Sequence, residues 1–312
     1  MRANLATADL RLLRVFATVV ECGGFSAAQV ALNVGQSTIS TQMAALEARI
    51  GLKLCRRGRA GFALTDDGRA VYRATQRLFR ALDTFAAEVG SIGGRLAGEL
   101  HIGAIDNLIS NPDFHLAEAL ARFSRRGGAV HLTLHVDSPL ELERAVLDGR
   151  YHLGIGTFPN HAPGLDYTPV FEETMALYCG RDHPFFARDD AAIGRHEIDA
   201  APYVRRGYAT ARAGGRLPRN ATATADNMEA IALMVLSGRF IGHLPVHYAR
   251  RWVDTGAMRP LLDARYRFAS PFDIVVRKGI AATAVIEAFT ADLAAAFGTA
   301  DRMAGGRGSG AS

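Results

Sequence analysis

Gln36-Ser37-Thr38-Ile39-Ser40-Thr41-Gln42-Met43-Ala44-Ala45-Leu46 is the stretch on which the fold turns. Its apolar residues Ile39, Met43, Leu46 and then Ile50 step by 4, 3 and 4, which predicts a helix over 36–50 with one buried stripe. Gly51 suits the left-handed residue that closes such a helix. The opposite face carries Gln36, Ser37, Thr38, Ser40, Thr41 and Gln42, and no charge before Glu47. A merely solvated face would carry Lys, Glu and Arg. Short hydroxyl and amide groups in the first turns instead suit a helix pushed end-first into the DNA major groove. The positive end of the helix dipole then meets phosphate.

The flanking sequence supports this reading. Upstream, Leu10, Leu12, Leu13, Phe16, Val19 and Val20 predict a helix over 9–20, ended by Gly23-Gly24. Ser26 is expected to cap a short helix over 27–32, and Asn33-Val34-Gly35 supplies a tight turn. Downstream, Arg56-Arg57-Gly58-Arg59 puts three arginines in four residues ahead of Gly61-Phe62-Ala63-Leu64. That pattern predicts a hairpin with a basic tip, a wing whose Arg57 and Arg59 lie against the DNA backbone or minor groove. A solvated basic loop is the plainer alternative.

A long helix is expected over 67–89. Its positions Val71, Thr75, Leu78, Leu82, Phe85 and Val89 step by 4, 3, 4, 3 and 4, the spacing of a coiled-coil seam. Val71, Leu78, Leu82, Phe85 and Val89 are therefore read as a dimerisation stripe, with packing on the same chain as the alternative. Gly90-Ser91-Ile92-Gly93-Gly94 is expected to break the helix as a hinge.

Beyond Gly98 the pattern changes to strands at 100–105, 130–136 and 153–156, alternating with helices at 113–124 and 139–147. This order predicts a mainly parallel sheet with helices on its faces. A second set follows: strands at 174–179, 203–205, 240–244 and 272–276, and helices at 226–236, 246–253 and 282–297. The expected fold class is α/β, with an N-terminal all-α winged helix-turn-helix and a long linker helix ahead of a two-lobed sensor.

Composition agrees with a protein able to bury a core: 49% of its 312 residues are hydrophobic and 21% charged. No apolar run approaches the roughly 18 residues needed to span a bilayer, and no export leader is seen, so the expected location is the cytoplasm. Residues 1–95 hold 13 Lys+Arg against 7 Asp+Glu, while residues 96–312 hold 23 against 24. The excess positive charge thus sits where a polyanion is expected. Cys22, Cys55 and Cys179 are far apart and read as small buried hydrophobes.

Phe16 to Gly68 resembles the LysR-type transcriptional regulators. The likeness rests on Phe16, Gly24-Phe25-Ser26-Ala27-Ala28, Leu32-Asn33, Gln36-Ser37-Thr38-Ile39-Ser40, Leu46-Glu47, Gly51, Leu54-Cys55-Arg56-Arg57, Leu64-Thr65 and Gly68. Leu147-Asp148-Gly149, Leu153-Gly154-Ile155, Gly238 and Gly242-His243-Leu244-Pro245 extend it along the chain. The resemblance implies a dimerising linker helix and a sensor resembling periplasmic binding proteins. It further implies homodimers that pair into a homotetramer, promoter DNA as partner, and switching by a small molecule between the lobes. RNA polymerase is a candidate partner, and no cofactor or membrane is expected. Gln36, Ser37, Thr38, Ser40 and Thr41 would face DNA, with Arg57 holding wing and phosphate. This chain departs from the family in having Ser37 where Pro is frequent, Thr41 where an arginine is frequent, and Cys55 where Phe is frequent.

The expected domains are 1–66 for DNA binding, 67–94 for linker and hinge, 95–301 for the sensor, and 302–312 as a disordered tail. Lobe I covers about 95–165 and 268–301, and lobe II about 166–267. Effector contacts are sought at the carboxyl ends of strands, where the lobes meet. These are Asp106, Asn107, Ser110, Asp137, Ser138, Arg205, Arg206, Gly207 and His243. The arginine pair favours an anionic effector, and Asp106 argues against a purely anionic one.

Two rival functions are weaker. No P-loop, dinucleotide-binding, nucleophile-elbow or zinc-protease motif occurs, so catalysis is not expected. His131 and His135 alternate with Val130, Leu132, Leu134 and Val136, the mark of a strand. There, four residues span roughly 13 Å, too wide for one metal ion. A free solute-binding protein would lack the DNA-binding head.

Overall fold

The computed structural model describes residues 7–58, 61–91, 96–208, 217–279 and 283–298. It divides into two compact units, Met1–Phe85 and Ala86–Ser312. The division falls inside the long helix and not at the glycine-rich hinge.

In the first unit, α1 (Thr7–Glu21), α2 (Phe25–Leu32) and α3 (Gln36–Ile50) precede a hairpin of β1 (Cys55–Gly58) and β2 (Gly61–Leu64). Phe16, Val19, Phe25, Ile39, Met43, Leu46 and Leu54 form its core. Burying each such large side chain contributes about 1.5–3 kcal/mol. Asn33 takes φ 51 in the α2–α3 turn, a left-handed value that asparagine tolerates better than most residues. Gly51 closes α3 at φ 76. One local expectation needs correction: α2 begins at Phe25 after an N-cap at Gly24 without a side-chain cap, so Ser26 lies inside the helix.

The link from α3 to the wing is held by one carboxylate. Glu47 Oε1 accepts from the Leu54 amide at 2.9 Å and from the Cys55 amide at 3.4 Å, while Lys53 Nζ donates to Oε2 at 2.7 Å. Burial opposes ionisation, but these donors outweigh it and hold the Glu47 carboxyl below its usual range. Beyond the wing, α4 (Asp66–Ser91) starts against the same segment. A Cβ on Gly68 would lie 1.9 Å from the Leu54 carbonyl oxygen, so only glycine fits there.

The second unit is built on a mixed sheet of order β4-β3-β5-β11-β6-β9-β7-β8, with β10 also paired to β6. Lobe I holds β3 (Ala97–Ala104), α5 (Leu116–Arg125), β4 (Ala129–Val136), α6 (Pro139–Asp148) and β5 (Leu153–Gly156). β6 (Leu165–Gly180) then leads into lobe II. There follow α7 (Arg195–Ala200), β7 (Tyr203–Arg206), β8 (Ala221–Ala225), α8 (Met228–Leu236), β9 (Ile241–Pro245), α9 (Val246–Asp254), β10 (Met258–Pro260) and α10 (Asp263–Tyr266). β11 (Phe268–Arg277) returns to lobe I and α11 (Ala284–Ala296) packs there on α5. The sheet is less parallel than expected. β3 is parallel to β4 and β5, and β7 to β8 and β9, but β6 and β11 run antiparallel to their neighbours. These two long strands are the crossover between lobes, and most of β6 was not anticipated as strand.

Strand alternation places a core on each face of the sheet. Ala176 and Tyr178 of β6 join a cluster with Ile231, Val235 and Ala249, whereas Leu177 and Cys179 join one with Ile198, Tyr203 and Tyr266. Cys179 is thus a buried hydrophobe, and burial pushes its thiol up to about 12. Phe123 of α5 meets Phe289 of α11 edge-on at 5.5 Å, and Arg126 clasps Asp292 through two bonds of 2.6 and 2.8 Å. His131 and His135 lie in β4, and His135 stacks on Tyr151 at 4.4 Å. The expected tail falls outside the described residues.

Candidate nucleic-acid interface and effector cleft

On α3 the stripe Ile39, Met43 and Leu46 is buried. Gln36, Ser37, Thr38 and Thr41 are exposed and Ser40 is half-buried. Gly35 caps the helix without a side-chain hydrogen bond. The helix therefore starts without an N-cap side chain to accept from its leading amides, as suits a helix end that meets an anion. Thr41 Oγ1 donates to the Ser37 carbonyl at 3.0 Å, which holds that side chain against its own helix. Gln42, outside the expected contact set, has its Oε1 buried without a hydrogen-bond partner among the described residues. In the wing Arg57 sits opposite Phe62 in register, and Arg56 beside it is exposed. Arg59 lies outside the described residues.

The seam on α4 splits in two. Val71, Leu78, Tyr72 and Phe79 pack against the core of the same head, and Thr75 is buried with them. Tyr72 meets Phe16 edge-on at 6.2 Å and Arg14 lies over the Phe79 ring. Assigning Val71 and Leu78 to a dimer stripe is therefore corrected: the first turns of the helix are used to seat it on its own domain. Further along, Leu82, Phe85 and Val89 are exposed, Phe85 to 64%.

In the second unit the lobes meet across two polar bridges. Asp106 follows β3, and its Oδ1 accepts from Arg206 Nη2 at 3.1 Å. Its Oδ2 accepts from the backbone amide of Met228, the first residue of α8, at 2.5 Å. Ser110 supplies the second bridge, its Oγ lying 2.9 Å from His247 Nδ1. His247 Nε2 in turn lies 2.8 Å from Glu173 Oε1, a carboxylate on the crossover strand that is only 4% exposed. Nearby on the crossover, Ser270 Oγ donates to Thr157 Oγ1 at 3.2 Å, both buried.

Several polar atoms here have no hydrogen-bond partner among the described residues: Asn107 Oδ1, Arg206 Nε and the Tyr208 hydroxyl. The Arg206 guanidinium lies 4.3 Å above the Tyr208 ring, and burial pushes the phenol's pKa up. Buried unsatisfied polar atoms are costly, and Arg206 and Tyr208 set two of them side by side.

Of the residues expected at the effector site, Asp106 meets Arg206 and Ser110 meets His247 across the lobes, and Asn107 follows Asp106 in the chain. Arg205 is exposed, and the next strand residue Arg206 takes the cleft-facing role. Gly207 lies against Asp226, whose Oδ1 would be 2.1 Å from an added Cβ. Three residues are corrected. Asp137 accepts from the Tyr151 hydroxyl at 2.5 Å and Ser138 caps α6 through the Glu141 amide, both at the end of the outermost strand. His243 is 5% exposed inside lobe II, with Nδ1 at 3.2 Å from the Tyr203 hydroxyl and Nε2 at 3.2 Å from the Tyr266 carbonyl. Sequence reasoning passed over Glu173, His247, Tyr208, Thr157 and Ser270. The Glu172-Glu173 pair inside an otherwise apolar run was the one available signal.

A winged helix-turn-helix with an exposed polar face on α3, followed by a two-lobed α/β unit whose lobes are bridged by polar groups, has the architecture of a ligand-responsive DNA-binding regulator. Residues 10–69 match the model of the bacterial regulatory helix-turn-helix protein, lysR family, and residues 93–298 match the LysR substrate binding domain. The chain belongs to the LysR family. It is 45% identical over 283 residues to the HTH-type transcriptional activator BauR of Pseudomonas aeruginosa, covering 90% of this chain and 93% of that one. It is 27% identical to the SDS degradation transcriptional activation protein of a Pseudomonas species, over 87% and 90% of the two chains. Among solved structures it resembles full-length CbnR complexed with target DNA, with a TM-score of 0.62 and 19% identity over 92% and 99% of the chains. ArgP from Mycobacterium tuberculosis gives 0.58 and 20% over 92% and 96%. The protein is a LysR-type DNA-binding transcriptional regulator with an effector-binding domain, and its family consists of regulators and not enzymes. Among the described residues, no helix is long and apolar enough to cross a membrane.

Proposed function

We propose that this regulator reads promoter DNA through Gln36, Ser37, Thr38, Ser40 and Thr41 in the major groove. Arg57 and Arg59 of the wing neutralise backbone phosphates. A small-molecule effector enters the cleft between the lobes and is held by Asn107, Arg206 and Tyr208, with Asp106, Ser110, His247 and Glu173 around it. Leu82, Phe85 and Val89 pair two copies into a homodimer, and two such dimers form the homotetramer. The output is transcriptional activation, as for the activator to which the chain is 45% identical, and the site of action is the cytoplasm.

The observation that carries the DNA reading is the exposed row of hydroxyl and amide groups on an α3 whose N-terminus has no side-chain cap. Footprinting of the full-length protein on its own promoter region tests it. Protection should be lost in Thr38→Glu while the sensor unit keeps its thermal midpoint; protection unchanged by that substitution would remove α3 from the groove. For the cleft, a promoter-reporter response abolished by Arg206→Ala, with DNA binding retained, supports the effector reading, and a full response contradicts it.

A further inference from the structure

We propose that Asp106 is a built-in competitor of the effector: its carboxylate holds the position that the acid group of a small carboxylate ligand takes. This rests on the cleft being the effector site. Asp106 belongs to lobe I, yet both of its oxygens are bound by lobe II, one by Arg206 Nη2 and the other by the first amide of α8. A guanidinium beside a helix-end amide is a donor pair suited to a carboxylate, and here the carboxylate comes from the protein.

The fit to Arg206 is incomplete. The single contact is 3.1 Å, long for a charge-assisted bond, and it uses only one edge donor of the guanidinium. Nε, the neighbouring donor, is buried with no hydrogen-bond partner among the described residues, and the Tyr208 ring lies 4.3 Å from the guanidinium. A free carboxylate can place its two oxygens on Nε and Nη2 together, a bidentate arrangement that the tethered Asp106 does not make. The protein's own acid therefore occupies the position without saturating it, and an incoming acid gains the Nε donor that Asp106 leaves idle. On entry the direct link between lobes gives way to one made through the ligand. Asp106 thereby sets both the affinity for carboxylates and the coupling of binding to the arrangement of the lobes.

The test uses full-length protein and sodium acetate as the probe, with ionic strength matched by chloride. The thermal midpoint is followed against acetate for wild type, Asp106→Ala and the double variant Asp106→Ala/Arg206→Ala. Asp106→Ala should show saturable stabilisation at an acetate concentration about tenfold or more below that needed by wild type. The double variant should lose the response. If Asp106→Ala folds poorly, Asp106→Asn removes the charge while keeping an oxygen for the Met228 amide, and should show the same ordering. Equal acetate responses in wild type and variant, or an undiminished one in the double variant, overturn the proposal. Such a failure alongside a reporter response that still needs Arg206 sinks the competitor and leaves the cleft as the effector site. A reporter response indifferent to Arg206 sinks the site itself.

Discussion

The Ser110 hydroxyl lies 2.9 Å from Nδ1 of His247, and through that imidazole a residue of lobe I is tied to a buried acid on the crossover strand. Glu173 offers only acceptor oxygens when ionised, so His247 Nε2 donates to it. Removing the imidazole leaves a buried carboxylate without its donor. His247→Ala should therefore destabilise the sensor unit by about 1–3 kcal/mol in urea unfolding. In a double-mutant cycle, Ser110→Ala should cost about 0.5–1.5 kcal/mol in wild type and close to nothing once His247 is gone. Equal costs in both backgrounds would mean the two residues do not interact.

His243 gives a pH prediction of opposite character. Burial drives its pKa down to about 4, against the bond to the Tyr266 carbonyl that favours the charged form. A histidine held neutral in the folded state binds its proton only on unfolding. Its contribution is intact above about pH 6.5 and is lost as pH falls toward 4, amounting to about 3 kcal/mol over that interval. Equilibrium unfolding from pH 7 to 4.5 should show this slope, and His243→Gln should flatten it. A slope unaltered in the variant would assign the acid sensitivity elsewhere.

The wing makes a contribution that salt can read. Replacing Arg57 and Arg59 by alanine should weaken binding to all sequences alike and lower the salt slope of log K by about 1–2. Titrations at several chloride concentrations measure it, and an unchanged slope would detach the wing from phosphate.

On α4, exchanging the exposed Phe85 for Glu should shift the protein toward monomer in sedimentation velocity, because it sets a charge in an apolar seam. Val71→Ala should instead lower the thermal midpoint of the head with little change in mass. If Phe85→Glu sediments like wild type, the seam lies elsewhere.

These contrasts show what kind of information a one-dimensional pattern carries. The bounds of α3 were legible because periodicity, a helix-closing glycine and an absence of charge all agreed at 36–51. The stripe on α4 was only half legible. A 3.5-residue spacing looks the same whether its partner is another copy or the helix's own head, and Val71, Thr75 and Leu78 turned inward. Asp106, Ser110 and Arg206 followed from the rule that ligands gather at strand ends. Asp137 and Ser138 obey the same rule on an outermost strand, where there is no second lobe to meet. Glu173 and His247 escaped because their partnership spans 74 residues and depends on a crossover strand with no turn signal to mark it.

The glycine at position 68 has a mechanical consequence. With the Leu54 carbonyl lodged where a side chain would stand, and with Thr65 Oγ1 bonded to Lys53 O at 2.6 Å, the start of the long helix is welded to the root of the hairpin. A shift in the first turn of that helix therefore has to carry the root of the hairpin with it.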